Sequence, residues 1–330
     1  MELALPDPGR ALRRVLLAQE VERPRLGRPF RWADGAWRLR FPRPPADRME
    51  YLLELDGTLQ PDPTNPLRAP GPFGDKSVIE WPEYEPPAWL GTIVDEGAVE
   101  RIELRSRRLV SGVQALLYAT PEPPGAGAPL LVVHDGPEYA AYSALTRFLD
   151  AMSWEERIPP LWAALLPPVD RNETYSASAQ YAATLVRELL PELARRIDHG
   201  PRIGMGASLG ALAILHAQRR HPQTFDGLFL QSGSFFRQRW DKVESGFPRY
   251  RRITRFVGTV LRDVDGHRPI PVALTCGAAE ENLANNRAVA AALERQGSTA
   301  WLAEVRDAHN WTCWRDAFDP HLPALIEAAA

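Results

Sequence analysis

The spacing of apolar residues changes near residue 90 of the 330-residue chain. Before it, short alternating runs recur at Phe30-Arg31-Trp32, Trp37 to Phe41, Tyr51 to Leu55 and Ser77 to Trp81. Turn dipeptides Asp34-Gly35 and Asp56-Gly57, and the proline-rich stretches Asp62 to Pro66 and Pro70-Gly71-Pro72, separate them. Period-two runs bounded by Gly, Pro, Asn and Asp predict strands, and several together predict a small all-β sandwich over residues 1–90. Leu12 to Glu20 clusters its apolar residues and predicts a short amphipathic helix leading that module. Tyr84 to Trp89, with Pro86-Pro87, reads as a linker.

From Gly91 onward the runs become continuous. After strands around Arg101 to Leu104 and Val113 to Tyr118 come Leu130 to Val133, Trp162 to Leu166, Pro201 to Met205, Leu228 to Leu230, Val272 to Thr275 and Ala300 to Val305. Helical stretches are expected at Tyr181 to Ile197, after residue 210, at Ala284 to Gln296 and at Trp311 to Ala328. Unbroken apolar strands alternating with helices predict an α/β domain over residues 91–330, with a doubly wound, mostly parallel sheet covered on both faces.

Within that domain, Gly206-Ala207-Ser208-Leu209-Gly210 lies between a strand and the apolar helix beginning Ala211-Leu212. G-x-S-x-G between strand and helix is a nucleophile elbow, in which a sharp turn lifts the serine hydroxyl above the sheet. A serine alcohol needs a base, and His309 follows the last strand. The glycines also approach a dinucleotide fingerprint, but the spacing is one residue too long. The next strand also ends in Gln231-Ser232-Gly233-Ser234 with no acid. A nicotinamide site is therefore not expected, and neither is any other cofactor.

Composition narrows the partners. A net charge of −3 gives no reason to expect nucleic acid. No run is long and apolar enough to span a membrane, and Cys276 and Cys313 are too few for a disulfide framework; a cytoplasmic protein is the expectation. No His, Cys or Asp spacing suggests a metal site.

Working residues of such a sheet gather at the carboxyl ends of its strands. The order Ser208, Glu280, His309 is the Ser…acid…His order of α/β-hydrolases. Glu281 is the rival acid, and Asp307 is too close to His309 along the chain. His216, inside the helix after the elbow, is expected to be packed or at the surface. The amide of Leu209 is the first expected oxyanion donor, and the turn His134-Asp135-Gly136-Pro137-Glu138 should supply the second.

Leu131 to Gly136, Gly206 to Gly210, Gln231 to Phe235 and Ala308 to Arg315 together resemble the enterochelin esterase-like branch of the putative esterases. Asp170 to Glu173 and Cys276-Gly277…Glu280…Asn286-Arg287 fit the same pattern. The likeness spans about residue 95 to the end. Residues 51–78 are similar, over a shorter match, to that family's immunoglobulin-like module. The resemblance implies an α/β-hydrolase that cleaves esters, with ferric catecholate siderophore lactones as the best-known substrates. It also implies Arg171 and Trp311 as substrate-binding residues. Relatives often take the second oxyanion donor from the position of Pro137, which has no N–H, so Gly136 is expected instead, with Glu138 the alternative.

Arg237, Arg239, Arg249, Arg251, Arg252 and Arg255 are interleaved with Phe235, Phe236, Trp240 and Tyr250. As a cap over the site, with Arg237, Arg239 and Trp240 touching substrate, they would suit an anionic, ring-bearing small molecule. A plain basic surface is the competing reading. The functional alternatives are an acyltransferase using the same three residues, or a binding protein whose hydrolase half is impaired by Pro137.

Overall fold

A computed structural model describes the whole chain except residues 23–24, 110–111 and 264–267. The N-terminal part is a small antiparallel module of two sheets. Strand β1 (Glu2–Pro6) pairs with β5 (Ala36–Arg40), which pairs with β4 (Arg31–Ala33). The second sheet runs β3 (Leu26–Pro29), β2 (Val15–Gln19), β6 (Arg48–Leu55), β9 (Lys76–Glu80), β8 (Arg68–Ala69), with β7 (Thr58–Gln60) also on β6.

The leading helix expected over Leu12 to Glu20 is not formed: Val15–Gln19 is β2. Val15, Leu17 and Gln19 are buried while Leu16 and Ala18 are half-buried, a period-two alternation. Leu17 lies opposite Leu53 of β6. Cross-strand pairing has overridden a weak local helical pattern.

The larger sheet has the order β10-β11-β13-β12-β14-β15-β16-β17. Its strands are β10 (Ala98–Leu104), β11 (Val113–Ala119), β12 (Ala128–His134), β13 (Trp162–Leu166), β14 (His199–Ala207), β15 (Gly227–Gln231), β16 (Val272–Gly277) and β17 (Ala300–Val305). Only β10–β11 and β11–β13 are antiparallel; all later pairings are parallel. Strands β15 and β16 are buried along their whole length, which is why they read as unbroken apolar runs.

One face is covered by α4 (Ala179–Thr184), a π-helical turn (Leu185–Leu189), α5 (Leu190–Ala194), α6 (Leu209–Arg220), α7 (Tyr250–Arg262) and α8 (Leu283–Arg295). The other is covered by α1 (Gly136–Tyr142), α2 (Leu145–Trp154), α9 (Trp311–Asp316) and α10 (His321–Ala329); a single turn, α3 (Arg171–Thr174), follows β13. The expected helix Tyr181 to Ile197 is therefore interrupted, and Pro191, which has no N–H for the ladder, follows the widened turn. The expected helix Trp311 to Ala328 is two helices, parted before Pro320 for the same reason and because the residue before a proline avoids helical geometry.

Candidate active site

Strand β14 ends in the elbow. Ser208 sits at φ +56° and ψ −119°, a conformation costly for a residue with a side chain and held by the surrounding turn. A Cβ on Gly206 would lie 2.6 Å from the Gly210 carbonyl carbon, so the strand-to-helix reversal admits only glycine there. The Ser208 amide donates to the Gln231 carbonyl at 2.9 Å, and the Ser234 amide donates to the Ser208 carbonyl at 3.0 Å. The end of the neighbouring strand β15 thus pins the elbow.

The Ser208 hydroxyl is 3.0 Å from the Ser234 hydroxyl and makes no hydrogen bond to His309 in this structure, although both residues face one cavity. His309 Nδ1 is 2.8 Å from a carboxylate oxygen of Glu280. The other Glu280 oxygen accepts from the Gly277 amide at 2.8 Å and from the Ser232 hydroxyl, which also accepts from Trp314 Nε1 at 2.9 Å. Burial alone would raise the Glu280 carboxyl, but the charge and hydrogen bond of His309 hold it below its ordinary range. Burial would likewise lower the His309 ring, and Glu280 outweighs it, leaving the ring above its ordinary value. Glu281, the rival acid, points elsewhere and pairs with Arg25 at 2.6 Å.

Leu209 opens α6, in the turn whose amides have no partner within the helix. Gly136 opens α1 beside β13, where a Cβ would sit 2.3 Å from Leu165 Cα. Pro137 occupies the first turn of α1, where a missing N–H removes no helical hydrogen bond. His134 is fully buried between Gly210, Tyr175 and Tyr181, and burial brings its ring down to about 4; it is a neutral packing residue. His216 is similarly lowered to about 4 and packs edge-on against Phe256.

The cavity has two lobes of about 400 and 410 Å³, and both are lined by Glu20, Arg25, Ser208 and His309. The first is walled by Arg171, Trp311, Trp314 and the module's 69–74 loop. Arg171 grips Asp135 through two nitrogens, the closest contact being 2.8 Å. The second lobe lies under the segment following β15, with Ser234, Phe236, Trp240 and Asn285 in its wall. That segment overhangs the site, but Arg237 and Arg239 line neither lobe. Arg237 stacks on the Trp240 ring at 3.6 Å, while Arg249 and Arg252 pair with Glu173. Arg251 and Arg255 border a separate groove along α7. Their chain neighbours are packed inward, which turns these arginines out; Ile253 and Val257 are buried.

Arg171, Trp240 and Trp311 are therefore brought to the cavity with Ser208, His309 and Glu280. The residues missed by sequence reasoning are Glu20, Arg25, Glu50 and Lys76, all from the N-terminal module. Nothing in their local pattern separates them from ordinary surface charges. Cys276 and Cys313 are buried, free thiols pushed up by burial.

The family described as putative esterase matches residues 109–325. Iron(III) enterobactin esterase of Escherichia coli O6:H1 (strain CFT073) is 26% identical over 289 residues, covering 83% of this chain and 70% of that protein. Its counterpart in Dickeya dadantii is 27% identical, covering 67% of this chain and 53% of that protein. In fold, the chain is similar to the enterobactin esterase of Shigella flexneri crystallised in the presence of enterobactin, with TM-score 0.80 at 19% identity over 99% of this chain and 92% of that one. A ferulic acid esterase gives TM-score 0.58 at 16% identity, over 72% of this chain and 100% of that one. The family match covers well over half of the sequence, and the chain belongs to the putative esterases, with the enterochelin esterase-like proteins among its relatives.

Proposed function

We propose that the protein is a serine esterase that hydrolyses an aryl-bearing carboxylic ester through an acyl-enzyme. The carrying observation is the 2.8 Å contact between Glu280 and His309 Nδ1, with His309 lining the same cavity as Ser208 on its strained elbow. Glu280 fixes the proton on Nδ1, leaving Nε2 free to accept. A turn of the Ser208 side chain from Ser234 towards His309 completes the relay; such bonds are often long or unmade before substrate binds.

His309 then takes the Ser208 proton as the hydroxyl attacks the ester carbonyl. The Leu209 amide, with Gly136 as the proposed second donor, stabilises the oxyanion. His309 next protonates the leaving alcohol, and water repeats the sequence on the acyl-enzyme. Trp311, Trp314 and Trp240 line the cavity and supply aromatic surface for a ring-bearing group. The names of the relatives point to a catecholate siderophore lactone as one such ester. The residue roles place the chemistry inside the chain, and no cofactor is invoked.

The test is hydrolysis of p-nitrophenyl acetate and of ferric and iron-free catecholate lactones by wild type and Ser208→Ala. The variant should lose activity at an unchanged thermal midpoint. Activity within a few-fold of wild type would exclude Ser208 as nucleophile. Turnover of small esters but no lactone would keep the esterase and discard the siderophore.

A further inference from the structure

We propose that the N-terminal β-module is part of the catalytic apparatus, with Arg48 of β6 acting as the positioning residue for the His309 base. The inference rests on the serine-esterase reading. It concerns a residue far from His309 in sequence but directly against its loop.

Arg48 is 3% exposed. Its Nη1 donates to Asp307 Oδ2 at 3.2 Å and Asn310 Oδ1 at 3.2 Å, one on each side of the Ala308-His309 pair, and to Glu50 at 3.0 Å. Both acceptors are committed to the same loop. Asp307 Oδ1 accepts from the Ala308 amide at 2.7 Å and from Asn310 Nδ2 at 2.9 Å. Asn310 Oδ1 also accepts from the Cys313 amide at 2.8 Å, capping α9. One guanidinium therefore ties the entrance of the His309 loop to the helix that leaves it.

Further contacts lead from the module to the loop. The Asp47 amide donates to the Arg306 carbonyl at 2.7 Å, and Arg306 returns an ion pair to Asp47 at 2.9 Å. Ala308 is buried in the module's own apolar core, with Val15, Leu17 and Met49 among the other members. Ala279, next to Glu280, packs against that core as well, and its amide donates to the Asp307 carbonyl at 3.1 Å. The acid loop and the base loop thus lean on one support, and that support is the module. Burial raises the Asp307 carboxyl to about 6 against the pull of Arg48, so the contact is made by groups under strong electrostatic demand. A detachable binding module would show none of this coupling to the two loops.

The experiment uses full-length protein and two readouts. One is the second-order rate of Ser208 labelling by a small fluorophosphonate; the other is kcat and KM for p-nitrophenyl acetate. Arg48→Met alone would strand the buried Asp307 carboxylate and could unfold the chain, so the main variant is Arg48→Met with Asp307→Asn. It should fold with a cooperative transition and lose about tenfold or more in kcat and labelling rate, with KM within about twofold, because small displacements of a base cost chemistry. Arg48→Lys, which keeps the charge with fewer donors, should fall between it and wild type.

A folded double variant with wild-type labelling and kcat overturns the proposal. So does a change confined to KM. If the double variant does not fold, folded Arg48→Lys decides: unchanged kcat overturns the proposal, and reduced kcat at constant KM supports it. Ser208→Ala is run alongside. Labelling that survives it counts against the esterase reading; Ser208-dependent labelling that ignores Arg48 counts against this inference alone.

Discussion

Replacing Glu280 by Gln tests the electrostatics of the site most directly, because shape is kept and one charge is removed. The amide oxygen can still accept from the Gly277 amide and the Ser232 hydroxyl, where Glu280 Oε1 now sits. The other end then presents an NH2 group to His309 Nδ1, at the position of the present 2.8 Å contact. That donor forces the ring to accept at Nδ1 and carry its proton on Nε2, the tautomer that cannot take a proton from Ser208. Losing a hydrogen bond to a charged group costs roughly 1.5–3 kcal/mol, or about ten- to hundredfold in rate. The wrong tautomer can extend the loss to about 10⁴-fold. A fall in kcat/KM of between about 10² and 10⁴ is expected.

The pH profile gives an independent sign. His309 must be neutral to act, and Glu280 holds it above its ordinary value, so the acid limb of wild-type kcat/KM should lie above about 6.5. Without the carboxylate the lowering effect of burial is the largest influence left on the ring, and the limb should move down. The stabilising effect of the pair has its own window. The raised His309 contributes fully below about 6.5 and loses its contribution as pH rises through its folded value. The lowered Glu280 contributes above about 4.3 and loses it as pH falls through its folded value. The stability gap between wild type and Glu280→Gln should therefore be widest between about pH 4.5 and 6.5. Initial rates on p-nitrophenyl acetate from pH 5 to 9 and thermal midpoints over the acidic range check both. A loss under threefold, or an acid limb that stays or rises, would refute the assignment; Glu281→Gln, acting on the Arg25 pair, should cost under threefold.

Ser234→Ala removes the hydroxyl that engages Ser208 and should leave the fluorophosphonate labelling rate within about threefold of wild type, since Ser208 is then free to turn to His309. A loss near that of Ser208→Ala would instead make Ser234 part of the machinery. Arg237→Gln with Arg239→Gln should change KM for an anionic aryl ester by less than about twofold, because neither side chain lines the cavity and exposed charges contribute little. Arg25→Gln should raise that KM by about three- to tenfold and leave a neutral ester unaffected; equal shifts for both esters would mean Arg25 shapes the wall rather than reading charge.

Two kinds of strand were legible in the sequence: fully buried ones as unbroken apolar runs, and half-buried ones such as β6 as alternating runs. Strands β12, β15 and β16 read as unbroken apolar runs because both their faces are covered. The leading segment was not legible: β2 is settled by pairing with β6, and that partner is far along the chain. Ser208 and His309 were readable because both follow strands at one end of a parallel sheet. The pair Glu280-Glu281 was not separable, since adjacent acids differ only in which way the turn directs them. The turn closed by the Glu280 amide on the Gly277 carbonyl at 3.0 Å sends Glu280 inward. Arg48 was invisible for a plainer reason: an arginine in a strand of an apparent accessory module carries no local sign of contacts with Asp307 and Asn310.

Charge pairing within the cavity limits what it can recognise. Its three described cations all carry carboxylate partners: Arg25 with Glu281, Lys76 with Glu20 and Glu50, Arg171 with Asp135. An anionic group entering the site must therefore share a cation already paired, and it gains the difference between two ion pairs rather than a whole one. The arginines after β15 do not supply the missing charge, because Arg249 and Arg252 are bound to Glu173 and Arg237 faces Trp240 outside the lobes. Aromatic surface from Trp311 and Trp314 is already in place and needs no such exchange. Discrimination between an aryl and an alkyl ester should consequently exceed discrimination between an anionic and a neutral aryl ester. The ratio of the two kcat/KM contrasts measures it, and a site that preferred the anion by more than it preferred the ring would require cations that these pairings withhold.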